Sequence, residues 1–268
     1  MCYPAVGGAV APTDGPPLSF ADRLLWALLA LCPPTPRFPW LELRERGPAP
    51  DATPDPDAGL LPSLQGLAGP TFDPSEIDAF VQTFYVRTAR YGLDVHVAWR
   101  FGFRHLGGLW TRIWARRWGQ LELPMRSGET LTNELIPSAA GTWWFRRYVA
   151  NGATMYRSLY AVASVASETN PCVSVHFPIP GGAAVVLFRA HLSEAGGLDL
   201  VEDGGKPGGP GLYLIPHDGP ARYVRALRES IEVRRTATGL CATHRLAIFG
   251  LPFLQLRYDI TAAAIAPA

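Results

Sequence analysis

TWWFRRYVANGATMYRSLYAVASV, residues 142–165, and CVSVHFPIPGGAAVVLFRAHL, residues 172–192, read as two successive β-hairpins and decide the fold. Asn151-Gly152 accepts the positive φ values of a tight two-residue turn, and it separates two runs rich in aromatic and β-branched residues. A two-residue loop there sets Trp144 opposite Leu159, Arg146 opposite Arg157 and Tyr148 opposite Met155 on one face. Trp143, Phe145 and Arg147 then share the other face with Tyr160, Ser158 and Tyr156. A sheet this aromatic must be covered or must hold something.

Outward from the hairpins, the remaining segments are mostly short, β-rich and divided by Pro, Gly, Asn and Asp. YGLDVHVAWR alternates as a half-buried strand does. GQLELP, ETLTNELIPS, GLDLVED, GLYLIPHD and LPFLQLRYDI add further strands, and SIEVRRTATGLCATHRLAIFG reads as another hairpin turning at Thr238-Gly239, with Glu232 opposite Arg245. Three helices are expected in this body. FDPSEIDAFVQTFYVRTAR has Asp73 as cap and Ile77, Phe80, Val81, Phe84 and Tyr85 at helical spacing. RFGFRHLGGLWTRIWARRWG carries Trp110, Trp114 and Trp118 in one stripe, with Gly107-Gly108 expected to break it early. Gly219 to Glu229 is the third.

Roughly ten strands joined by tight turns, with no βαβ alternation, imply an α+β, β-dominated class: a strongly curved antiparallel sheet or partly open barrel covered by two or three helices. The expected domains are residues 1–70, an N-terminal arm with a short apolar helix (FADRLLWALLALC) and a Pro-rich extended connector, and residues 71–268, a β-rich ligand-binding-type domain. Barrels of this size can enclose one small ligand.

Composition narrows the function classes. A net charge of +1 argues against a nucleic-acid partner. The four cysteines form no C-x-x-C pair, which fits a reducing cytoplasm. Cys172 and His176 share a strand face but stand about 13 Å apart, too far to ligate one ion, so no metal is expected. The glycine-rich VEDGGKPGGPG lacks the spacing of a phosphate loop, and no hydrolase motif is present, so no cofactor is expected either.

The candidate site is the first hairpin. Like charges opposite one another are unfavourable unless something negative lies between them. Arg146 and Arg157 are therefore candidates to hold the anionic group of a hydrophobic small molecule, its apolar body resting on Trp144, Tyr148 and Met155. His176, His244 and Glu134 are the candidate proton-transfer groups. Two functions stay open: a cofactor-independent cyclase, isomerase or dehydratase, and a non-catalytic binder of a lipid or similar molecule. The Trp110/Trp114/Trp118 stripe is expected to pack on the sheet, the alternative being a peripheral membrane contact. The order of elements, with LTNELIPS, RYVRALRESIEV and HRLAIFGLPFLQLRYDI, resembles an uncharacterised bacterial group of the domain-of-unknown-function kind over about the last 190 residues. That resemblance implies no function.

Overall fold

The computed structural model describes residues 18–32, 34–35, 47–49, 51–100, 102–202 and 205–262. The expected Gly/Pro-rich start of the chain and most of the connector from Pro33 to residue 50 lie outside them. The strands are β1 (Tyr91–Trp99), β2 (Glu129–Ser138), β3 (Gly141–Tyr148), β4 (Thr154–Ala163), β5 (Cys172–Ile179) and β6 (Gly182–Leu192), then β7 (Leu198–Glu202), β8 (Gly211–Pro216), β9 (Arg222–Val224), β10 (Leu227–Arg235), β11 (Leu240–Ile248) and β12 (Leu251–Ala262). Every pairing is antiparallel, in the order β5-β4-β3-β2-β1-β12-β11-β10-β7-β6, and β5 pairs with β6 to close that series into a ten-stranded barrel. The expected curved sheet is thus a closed barrel, which removes its own edges. β8 and β9 branch from β6 as a flap outside the barrel, covering Val185 and Leu187 with Tyr213 and Tyr223.

Alternation fills the interior. Leu93 and Val95 of β1, Leu131 and Leu135 of β2, Val173 and Val175 of β5, Val186 and Phe188 of β6 and Leu254, Leu256 and Ile260 of β12 all belong to one core cluster. One end of the barrel is plugged by α2 (Ala79–Val86), capped by the Asp78 carboxylate, which accepts from the Phe80 N–H at 2.8 Å. Leu60, Leu61, Leu64 and Leu67 join Phe84 and Tyr85 there. The last part of the expected connector is therefore core, because four closely spaced leucines bury more apolar surface than the neighbouring prolines can keep extended in water. The expected long helix after Asp73 is shorter than its apolar spacing suggests: Asp73 caps only a 3₁₀ turn (Pro74–Glu76), and α2 starts after Asp78.

The other end is covered by α3 (Phe103–Trp110), which continues through a π-helical turn (Thr111–Ala115) into α4 (Arg116–Trp118), and by the loop after it. Gly107-Gly108 does not break this helix. Gly107 lies against Trp99, where a methyl would overlap the indole ring, so its missing side chain seats the helix on β1. The GQLELP stretch is not a strand but part of the covering loop, which Trp99 holds through Nε1–H to the Pro124 carbonyl at 3.0 Å and Gln120 through its amide to the Pro178 carbonyl. The helix expected at 219–229 is also replaced, by β9 and the start of β10. The expected helix at the N-terminus is present as α1 (Phe20–Leu29), closed by a Ser19/Asp22 capping box.

Two registers differ from expectation. In the first hairpin Tyr148 N–H donates to the Ala153 carbonyl, so the loop holds Val149 to Gly152, with Gly152 at φ +70°. A bulge at Arg146/Arg147 shifts the pairing further, giving Trp144↔Ser158, Phe145↔Arg157 and Arg146↔Tyr156. In the β10–β11 hairpin Glu232 faces Thr243 and Arg245 faces Ser230, although the two side chains still meet diagonally at 2.9 Å. The first loop is thus two residues longer than the shortest turn its sequence permits, whereas the second, in which Thr236 N–H donates to the Gly239 carbonyl at 2.9 Å, keeps two residues but turns at Ala237-Thr238, one position before the expected Thr238-Gly239.

Candidate functional site

The register places the residues of the candidate site on two different faces. Trp144, Arg146 and Tyr148 alternate along β3 into the barrel, and β4 sends Tyr156 and Tyr160 in with them. Arg157 pairs with Phe145 on the outer face, away from Arg146, because a one-residue slip moves every side chain of a strand across the sheet. The two arginines do not converge. Burial depresses the Arg157 guanidinium pKa, and its Nε has no hydrogen-bond partner. Met155 is fully buried beside the bulge.

The three candidate proton-transfer groups are also separated. His176 pairs with Leu159 and Val185, whose side chains belong to the outer-face clusters. Glu134 pairs with Phe145 and forms an ion pair with Arg147 on the outer surface. His244 alone points inward, where its Nε2 lies 2.7 Å from Glu229 Oε2.

What the interior gathers is a polar cluster around a cavity of about 50 Å³, lined by Arg146, Glu229, His244, Tyr156, Tyr160 and Tyr258 and otherwise by apolar side chains. Arg146 is 6% exposed. Its guanidinium carbon sits 3.8 Å from the centroid of the Trp144 ring, 4.4 Å from Tyr156 and 5.9 Å from Tyr258, and Nη1 donates to the Tyr258 hydroxyl at 3.5 Å. Its Nε is buried without a hydrogen-bond partner, and among the described residues no carboxylate comes within ion-pairing distance. Each ring can return up to about 2 kcal/mol of cation–π attraction, against several for burying a lone charge. The aromatic box therefore offsets part of the burial of Arg146 and leaves its charge available.

The shell behind the cluster is fixed from both ends. Asn133 accepts from Trp144 Nε1–H while its amide donates to the Thr88 carbonyl at 2.5 Å and to Tyr91 at 3.2 Å, tying the ring to the plugged end. The Tyr148 hydroxyl donates to the Glu122 carbonyl of the covering loop at 2.7 Å. Burial drives the phenol pKa values up, that of Tyr258 to about 12 and those of Tyr148, Tyr156 and Tyr160 also upward. These hydroxyls are therefore neutral donors at physiological pH.

Sequence reasoning missed Asn133, Tyr156, Tyr160, Tyr258 and Glu229. Alternation in LRYDI points Tyr258 to the same face as Leu256, and in LTNEL it sets Asn133 with Leu131 and Leu135, so those two were readable. Tyr156 and Tyr160 went to the wrong face with the register. Glu229 was hidden by the expectation of a helix.

No family model and no solved structure matches this chain. It is similar to the uncharacterised membrane protein YndJ of Bacillus subtilis (strain 168), with 23% identity over 214 residues, 76% of this chain and 38% of that protein. The chain thus spans well under half the length of that relative. No helix among the described residues is long and apolar enough to cross a membrane.

Proposed function

We propose that the barrel binds a hydrophobic small molecule bearing an anionic group, with Arg146 as the anchor for that group. One observation carries this reading: a buried guanidinium with an unpartnered Nε borders the cavity with no carboxylate among the described residues within ion-pairing distance. A carboxylate or phosphate on the ligand would complete the arginine's hydrogen bonds, and the apolar remainder would lie among Phe177, Ile231 and Val175. The open space takes only a few water-sized groups, so the apolar body of a longer ligand enters as the covering loop gives way. That the similar Bacillus protein is described as a membrane protein supports a bilayer as the source of so apolar a ligand.

The test compares a medium-chain carboxylate with the alcohol of equal length, read by quenching of tryptophan emission. The carboxylate should bind at least 10-fold more tightly, and Arg146→Met should erase that preference, since a charge-assisted hydrogen bond is worth roughly 1.5–3 kcal/mol. Equal affinity of the wild-type protein for both would overturn the assignment.

The His244–Glu229 contact favours a second reading, a cofactor-independent cyclase, isomerase or dehydratase. The carboxylate would orient the imidazole, the imidazole would move a proton, and Arg146 would hold developing negative charge. Turnover of a bound ligand that His244→Gln removes while leaving binding intact would select this reading over simple binding.

A further inference from the structure

We infer that the face formed by α1 and α3–α4, at the covered end of the barrel, is a docking surface for an anionic lipid bilayer. α1 is fastened to the body along one side only. Trp26 donates from Nε1 to the Pro180 carbonyl at 2.8 Å, Trp114 to the Ala21 carbonyl at 3.4 Å and Trp118 to the Asp22 carboxylate at 2.8 Å, while Arg222 holds the Ala30 and Cys32 carbonyls. The tryptophan stripe therefore faces α1 and the covering loop rather than the expected sheet. What it holds outward is different: Phe20, Leu24 and Leu28 at helical spacing on α1, Leu31 in the turn that follows it, and Leu106 and Leu109 on α3, all between 47% and 83% exposed. The adjacent β11–β12 turn adds Phe249 and Leu251 at the same end. Large apolar side chains gathered this way mark a contact surface.

The charge on this face selects the occupant. The sixteen-residue run from Phe103 to Trp118 contains no carboxylate, and Arg104, Arg112, Arg116 and Arg117 are exposed on it. None of the four enters an ion pair among the described residues. The nearby acid of α1, Asp22, is buried and already accepts from Ser19 and Trp118; burial raises its pKa, but those bonds, with a smaller contribution from the Arg117 charge, outweigh it and hold the carboxyl below its ordinary value. Two copies packed face to face would set arginine against arginine. A bilayer carrying anionic headgroups takes both features at once, since leucine and phenylalanine enter the acyl boundary while arginines pair with phosphates.

The experiment is flotation of the full chain with phosphatidylcholine vesicles, with and without phosphatidylglycerol, at physiological salt. Binding should require the anionic lipid. Arg112→Gln with Arg116→Gln should lower the partition coefficient by roughly 25-fold, at about five-fold per charge, and Leu24→Ser with Leu28→Ser should abolish flotation. Phe80→Ser, at the plugged end, should change nothing. Every substituted side chain is exposed, so circular dichroism should report unchanged folding for each variant. Bromine-labelled acyl chains should quench tryptophan emission of the unmodified protein, a readout independent of any variant. Failure to float, flotation indifferent to the arginine and leucine pairs, or concentration-dependent self-association lost in Leu24→Ser/Leu28→Ser without any lipid binding would each overturn the inference.

Discussion

The two ends of the barrel are closed by different physics. At one, Leu60, Leu61, Leu64 and Leu67 are each 3% exposed or less, beneath α2. At the other, the covering loop is held by directed bonds, Trp99 to Pro124, Tyr148 to Glu122 and Trp110 Nε1–H to the Leu121 carbonyl at 3.3 Å, while Leu121 and Leu123 stay only half buried. Four buried leucines are worth roughly 6–12 kcal/mol in transfer terms, these three neutral hydrogen bonds with that of the Gln120 amide to the Pro178 carbonyl about 4. The leucine end is therefore a foundation and the loop end a door, the closure expected to open first by local unfolding. The polar cluster touches both, through Asn133 to the first and Tyr148 to the second.

The sharpest way to break this contrast is a cavity at each end. Leu67→Ala should cost about 2–5 kcal/mol in urea unfolding, and Leu123→Ala well under half of that. Equal losses would mean the two closures are alike.

Alkaline titration probes what lies between them. A phenol that binds its proton more tightly in the fold than in the unfolded chain contributes stability that is whole below the unfolded value near 10 and is lost as pH rises through the folded value, about 12 for Tyr258. Tyr85, Tyr148, Tyr156 and Tyr160 are raised in the same direction by burial. Stability should be flat across neutral pH and fall steeply above about pH 10, with tyrosinate absorbance appearing only as the barrel unfolds. Ionisation of these tyrosines in the intact fold near pH 10 would show that the interior is wet.

A smaller effect separates door from foundation directly. Tyr148→Phe removes the bond to Glu122 and should cost about 1 kcal/mol, raising amide exchange across residues 119–126 by roughly five-fold and leaving residues 60–67 unchanged. The smallest expected effect is that of Arg157→Ala. With its side chain on the outer face and Nε unpaired, its loss should leave ligand affinity unchanged and stability within about 0.5 kcal/mol.

Much of the architecture was legible because alternation and turn residues are local. The second hairpin turns within the Pro180-Gly181-Gly182 stretch its sequence marks, with Ile179 opposite Gly182. YGLDVHVAWR sends Leu93 and Val95 inward as its period requires. The faces of β4 were not legible, since the Asn151-Gly152 pair permits a two-residue turn and a four-residue one alike, and only the bulge at Arg146/Arg147 sets which residues enter the barrel. Glu229 was lost for a related reason. RYVRALRES has helical charge and apolar spacing, yet β7 and β11 offer it two strands to pair with.

The sequence by itself determined that the chain folds as antiparallel β-structure with an aromatic third strand, because side-chain period and turn preference act over a few residues. Tertiary closure decided that Arg146 stands alone inside, that His244 meets Glu229 and that Arg157 and His176 face outward. Those facts depend on pairings between strands far apart in the chain, where a shift of one residue exchanges inside for outside.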